Sequence, residues 1–289
     1  MSPLIFILIT KEYYMRFYYP GFRIKALTFS YDDGCTQDIR LAEMFTRHGV
    51  KGTFNLNSSR FGNIGQITRL GKYTVSFSMV EAEKVPEIYK GHEIATHSYT
   101  HPSLCNISDE EIDREIGLDI EKLTSLAGYR TLGHAYPGGC FSDHVIEKLA
   151  SLGIKYARTV VSTKDFSLPK NFLAWHPTCY DHESGVPTLV SRFIAIDESD
   201  DTLPLFYIWG HSFEFDIWDT DRWADMDMLC AALSRDPKTW YATNMEICDY
   251  ITAVRAVQQS GTSINDTGVD LYVEKNGVKI TWKAGAVLR

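Results

Sequence analysis

His97 and His101 stand four residues apart in Thr96-His97-Ser98-Tyr99-Thr100-His101, and an adjacent carboxylate pair, Asp32-Asp33, closes an apolar run further upstream. Imidazole and carboxylate are the usual donors of a hydrolytic zinc-type site, and three such donors leave a coordination position for water. A second carboxylate beside a ligating one is placed to take a proton as that water attacks. Neither pattern is specific alone, because His-x-x-x-His arises by chance and Asp-Asp-Gly is commonly a turn. Their joint placement at the ends of two predicted strands is what points to a metal site. Two other strand ends carry polar or turn residues, Tyr136-Pro137-Gly138-Gly139 and Trp209-Gly210-His211. His211, with Trp209, Phe213 and Phe215 around it, also suits a packed core position.

Bringing four distant strand ends together requires a particular scaffold. From residue 25 the chain alternates strand-like runs (25–31, 50–56, 92–97, 131–136, 154–160, 206–211) with helix-like segments (36–48, 79–90, 108–128, 141–152, 244–259). Gly49, Gly91, Gly128 and Gly153 close four of these helices, and Ser108 with Glu111 forms a capping box at the start of the longest. This alternation predicts a mainly parallel sheet with helical crossovers, open or closed into a barrel. In such barrels the C-terminal strand ends carry the active site, which is where the chemically loaded residues fall. Near the C-terminus, Val269–Val273 and Val278–Trp282 flank Asn276-Gly277, a hairpin signal. The expected division is an N-terminal extension over 1–24, a catalytic domain over 25–260 and a small β-hairpin appendage over 261–289.

The chain has 289 residues, 44% hydrophobic and 23% charged, enough for a sizeable core. A net charge of −8 supplies no basic face for nucleic acid, although net charge says little about a local cleft. The six cysteines are scattered without a CxxC pair, which reads as mostly reduced thiols in a cytoplasmic protein. The apolar stretch Leu4–Ile9 is too short to span a bilayer and has no basic residue ahead of it, so no membrane partner is expected.

In chain order, Thr28-Phe29-Ser30-Tyr31-Asp32-Asp33-Gly34, His97-Ser98-Tyr99-Thr100-His101, Ala135-Tyr136-Pro137-Gly138-Gly139 and Trp209-Gly210-His211 resemble the successive motifs of the polysaccharide deacetylase (NodB-homology) family, in a branch with Tyr-Pro in the third motif. The resemblance covers about residues 25–215. It implies a distorted (β/α) barrel with fewer than eight strands, and hydrolysis of acetyl groups from N-acetylated, less often O-acetylated, carbohydrate. It puts the ligands of a divalent metal, Zn²⁺ first among candidates, on Asp33, His97 and His101. It puts the catalytic base on Asp32 and the acid on His211. The backbone N–H of Gly138 is then the natural donor to a tetrahedral oxyanion.

Two positions depart from the family pattern. Where many members have an arginine that pairs with the base, this chain has Ala135, and Arg158 at the end of the next predicted strand is the replacement candidate. The aspartate that orients the acid histidine is also missing in recognisable form, with Asp181, Glu214 and Asp216 as candidates. Tyr99, Tyr136, Trp175, Trp209 and Trp218 lie near the motifs, in keeping with stacking on sugar faces. Two other readings keep the same residues: hydrolysis of a non-sugar amide or ureide, and sugar binding without turnover. Binding alone requires neither Asp32 nor His211, which argues against the second.

Overall fold

A computed structural model describes residues 15–69, 71–217 and 220–288; the Leu4–Ile9 stretch and Trp218 lie outside these residues. The strands along the chain are β1 (Met15–Tyr18), β2 (Lys25–Asp33), β3 (Gly52–Leu56), β4 (Gln66–Arg69), β5 (Tyr73–Ser76), β6 (Glu93–Thr96), β7 (Gly133–Ala135), β8 (Tyr156–Arg158), β9 (Cys179–Tyr180), β10 (Leu205–Gly210), β11 (Thr239–Tyr241), β12 (Leu271–Lys275) and β13 (Val278–Trp282). The helices are α1 (Asp38–His48), α2 (Val85–Ile88), α3 (Asp109–Ala127), α4 (Asp143–Ser151), α5 (Val186–Ile194), α6 (Arg222–Leu233) and α7 (Asn244–Ser260).

Seven parallel strands in the order β8-β7-β6-β3-β2-β10-β9 form a curled half-barrel, and β11 also pairs with β2. This is the distorted barrel of fewer than eight strands that the motifs implied. All nine residues of β2 are buried, as expected for a central parallel strand covered on both faces. The segment 175–180 links the two edges. Trp175 bridges Arg158 at the end of β8, and Cys179 pairs with Ile208 of β10.

Local signals account for most elements. Gly49 ends α1 in the left-handed conformation, its N–H reaching the Phe45 and Thr46 carbonyls. The capping box of Ser108 and Glu111 opens α3, and Gly128 closes it. The expected helix over 79–90 is not there. A 3₁₀ turn (Ala82–Lys84) and the single turn α2 replace it, because Met79 pairs with Cys35 and the Val80 N–H bonds to Gly34 O at 3.0 Å. That extended stretch braces the turn after Asp33.

The hairpin β12–β13 forms around Asn276-Gly277, and β1 adds an antiparallel third strand along β12. Residues 15–18, grouped in the sequence with an N-terminal extension, thus belong to the C-terminal sheet. Leu271, Val273 and Trp282 of this sheet share a buried cluster with Phe17, with Ile251 and Val254 of α7, and with Ala26 and Tyr207 of the barrel. Four cysteines (35, 179, 230, 248) are buried thiols, whereas Cys105 and Cys140 form a disulfide across 35 residues that spacing did not disclose. Among the described residues, no helix is long and apolar enough to cross a membrane.

Candidate active site

Consecutive strand residues point to opposite faces, so Asp32 and Asp33 would diverge if β2 simply continued. Instead Asp33 takes a φ of 80° and Gly34 a φ of 75°, a left-handed turn after which both carboxylates line one cleft of about 400 Å³. Ser98 (φ 63°) and His101 (φ 69°) share this sparsely populated backbone region. Non-glycine residues held there cost on the order of 1 kcal/mol each and persist where the surroundings over-determine them.

Helix α3 supplies those surroundings. Glu115 and Asp119, one turn apart on its buried face with Ile112, Ile116 and Leu123, grip the histidine loop. Asp119 accepts from the N–H groups of His97 (3.2 Å) and Ser58 (2.9 Å). Glu115 accepts from the N–H (2.7 Å) and hydroxyl (2.9 Å) of Thr100. Asn57 donates to the carbonyls of His97 (2.5 Å) and Ser98 (2.8 Å). Sequence reasoning missed all three residues. The acidic i, i+4 pair on an otherwise apolar helix face was the signal for two of them.

Asp33, His97 and His101 each offer a donor atom, all within 4.8 Å of one another. Nε2 of His101 lies 3.7 Å and Nε2 of His97 4.0 Å from Oδ1 of Asp33. Bond lengths near 2.0–2.1 Å put neighbouring donors of a tetrahedral zinc roughly 3.3–3.5 Å apart, so a small inward shift would close the shell. The tautomer fits too. Nδ1 of His97 donates to the Ala135 carbonyl at 2.7 Å, which leaves the Nε2 lone pair facing Asp33. Burial holds the His97 imidazole well below its ordinary pKa and also lowers that of His101, which favours the neutral form that metal binding requires.

Asp32 stands beside this triad rather than in it. Asn55, its register partner on β3, donates to Oδ1 at 2.8 Å. Arg158 donates to Oδ2, its own side chain wholly buried and its guanidinium 4.4 Å from the centre of the Trp209 ring. The arginine absent at Ala135 is therefore supplied from the next strand. Burial pushes the Asp32 pKa up, but Arg158 first, then His97 and His211, more than offset this and hold it at about 2. Asn55 was not foreseen; a lone amide inside an apolar strand next to β2 was its only mark.

His211 lines the same cleft, its Nε2 3.9 Å from Asp32 Oδ2. Of the three acids considered as its orienter, Glu214 is the one beside it, Oε1 lying 3.4 Å from His211 Nδ1. Asp181 instead accepts from the Tyr31 hydroxyl at 2.6 Å and contacts His182, and Asp216 accepts from Gln37 (2.9 Å) and Trp223 (2.8 Å). A β-carbon at Gly210 would run into the Asp181 carboxylate, which explains the glycine of Trp-Gly-His. Gly138 (φ 63°) sits in the third-motif turn and lines the cleft. Trp209 and Tyr136 also line it, together with Phe213, expected only as packing around His211, and Phe77, which the sequence did not single out, whereas Trp175 lies in the core.

Comparison with known proteins agrees with this arrangement. Residues 21–157 match the family model described as polysaccharide deacetylase. A chitin deacetylase of Arthroderma benhamiae is 29% identical over 171 residues, covering 57% of this chain and 38% of that protein. A peptidoglycan-N-acetylglucosamine deacetylase of Listeria monocytogenes is 26% identical over 145 residues, covering 49% and 27% respectively. The chain thus spans little more than a third, or less, of these curated relatives. A solved Mycobacterium smegmatis structure, described provisionally as a polysaccharide deacetylase, superposes with a TM-score of 0.58 at 18% identity, covering 83% of this chain and 94% of that one, which shows the shared fold. Residues 21–157, the part of the barrel that carries the carboxylate pair and both histidines, thus form a domain similar to the polysaccharide deacetylase (NodB-homology) family.

Proposed function

We propose that this protein is a metal-dependent deacetylase that removes acetyl groups from N-acetylated carbohydrate, with Zn²⁺ held by Asp33, His97 and His101. The observation that carries the reading is the convergence in one cleft of this donor triad, a carboxylate held ionised beside it and a further histidine near that carboxylate. Two imidazoles and one carboxylate are a donor set suited to zinc. A divalent ion there supplies Lewis acidity, making water acidic enough to lose a proton near neutral pH and polarising an acyl carbonyl.

The remaining chemistry belongs to the chain. Asp32 takes the proton of the attacking water, and Asn55 and Arg158 hold one oxygen each so that the carboxylate cannot rotate away. The Gly138 N–H is the proposed donor to the oxyanion. His211 gives a proton to the departing nitrogen, a step the chemistry requires because an unprotonated amine leaves poorly. Glu214 at Nδ1 steadies the charged imidazole. The aromatic walls at Trp209, Phe77 and Phe213 suit the apolar face of a sugar ring. The chitin and peptidoglycan deacetylases among the relatives support an N-acetylated amino sugar.

Acetate release from a panel of N-acetylated and O-acetylated glycans, with Asp32→Asn as control, tests the proposal. Release from amino sugars that vanishes in Asp32→Asn is the expected result. Release from simple amides or ureides but from no glycan would move the site to the non-sugar class.

A further inference from the structure

We propose that the sugar taken by this cleft is anionic, carrying a carboxylate or a phosphate ester recognised by Arg60 and Arg69; this rests on the deacetylase reading. Arg60 ends the 3₁₀ turn Ser58–Arg60 that follows β3, and Arg69 ends β4 of a hairpin inserted before α2. Both line the cleft that holds Asp32, Asp33 and the three histidines.

The charges around that cleft do not cancel. Asp32 is already matched by the buried Arg158. Asp33 lies 4.0 Å from Arg60 Nη1, beyond hydrogen-bond reach, and under the proposed function its charge goes to the divalent ion. Burial pushes the Glu214 carboxyl up to about 7, so it offers Arg69 only a partial charge at neutral pH. Two guanidiniums thus remain as a local cationic excess inside a chain of net charge −8. A cleft of one sign concentrates a ligand of the other, whatever the net charge of the protein.

Guanidinium is also the side chain whose planar fork matches carboxylate and phosphate oxygens. A neutral glycan would use neither arginine's charge. The Arg69 guanidinium stands 5.8 Å from the ring centre of Phe213, which packs edge-on against Phe77 at 4.9 Å. An aromatic wall for the ring and a cation for its substituent therefore sit side by side.

The test uses the metal-loaded protein and three sugars: N-acetylglucosamine, its 6-phosphate, and N-acetylmuramic acid, whose lactyl group is a carboxylate. The expected result is a kcat/KM for at least one anionic sugar about tenfold above the neutral one, the scale of a charge-assisted hydrogen bond. That preference should appear in KM and weaken with added salt. The two anionic arms tell phosphate from carboxylate. Arg69→Gln and Arg60→Gln should each shrink the anionic-to-neutral ratio, and Arg69→Glu should invert it; Arg69 is exposed, so this variant folds. Calorimetry of the three deacetylated products with the metal-loaded protein reads the same preference without turnover. Equal ratios in the wild type and Arg69→Glu, with no calorimetric preference, overturn the inference. If no sugar releases acetate, the deacetylase reading fails, and the calorimetric arm still decides the charge preference.

Discussion

Arg158→Met separates the structural from the chemical role of the buried ion pair. The Arg158 side chain is fully buried and that of Asp32 is 3% exposed, so the substitution strands a carboxylate that keeps the Asn55 amide as donor. Breaking a buried pair by removing one partner costs about 3–5 kcal/mol, because the other charge stays behind unpaired. At about 2 °C per kcal/mol for a chain of this size, the melting temperature should fall by roughly 6–10 °C. Adding Asp32→Asn removes the stranded charge, so the double variant should regain most of that loss while remaining inactive. Burial is the largest influence on Asp32 and Arg158 the largest counterweight, so Arg158→Met alone should also cut turnover by about 10², the scale for a lost base. Its metal content should stay at the wild-type level, since Arg158 donates to Asp32 and the Thr159 carbonyl rather than to any of the three proposed ligands. Thermal melts, initial rates and metal analysis on the wild type, both single variants and the double complete the cycle. A single variant melting within about 2 °C of wild type, or a double variant no more stable than the single, would refute the reasoning.

Asp32→Asn alone should keep its metal while turnover falls by about 10² or more; loss of metal instead would mean that the two carboxylates have exchanged roles. Glu93, fully buried under Tyr156, Thr53 and the Met245 N–H, is pushed by burial from 4.5 to about 7. The folded state therefore holds this proton more tightly than the unfolded one, and the associated stability is present below about pH 4.5 and lost as pH rises through 7. In urea melts at pH 5 and pH 8, the difference between Glu93→Gln and wild type should move in the variant's favour by about 2–3 kcal/mol at the higher pH, and no movement would contradict the burial argument. Removing the 35-residue Cys105–Cys140 closure with Cys105→Ser should cost about 3–4 kcal/mol by loop entropy. Dithiothreitol should then lower the melting temperature of wild type but not of the variant.

What the sequence disclosed follows from the range of the interactions involved. Most strand and helix types, the capping box at Ser108 and the hairpin at Asn276-Gly277 depend on neighbours within a few residues, and apart from the helix over 79–90 they appear where the local pattern puts them. Arg158 could be named because it is a cation at a strand end next to the vacant Ala135 position. Glu214 could be named only as one of three, since choosing it over Asp181 and Asp216 requires knowing what Tyr31, Gln37 and Trp223 already hold. The lost helix over 79–90 has the same origin, its backbone being committed to Cys35 and Gly34. Strand β1 pairs with β12 across more than 250 residues, and the Cys105–Cys140 disulfide joins two loops on different strands. Asn55, Glu115 and Asp119 are polar groups whose partners exist only once sheet register and helix docking are set.

Under the proposed function, Asp33, His97 and His101 hold the divalent ion on which hydrolysis depends. The most direct measurement of this is acetate release from an N-acetylated glycan during zinc titration of chelator-stripped protein, run beside His97→Ala/His101→Ala with metal content determined in parallel. Activity should rise to a plateau at one zinc per chain in the wild type, with neither bound zinc nor acetate release in the variant. Full acetate release by the stripped wild type, or one tightly bound zinc in the variant, would contradict that assignment.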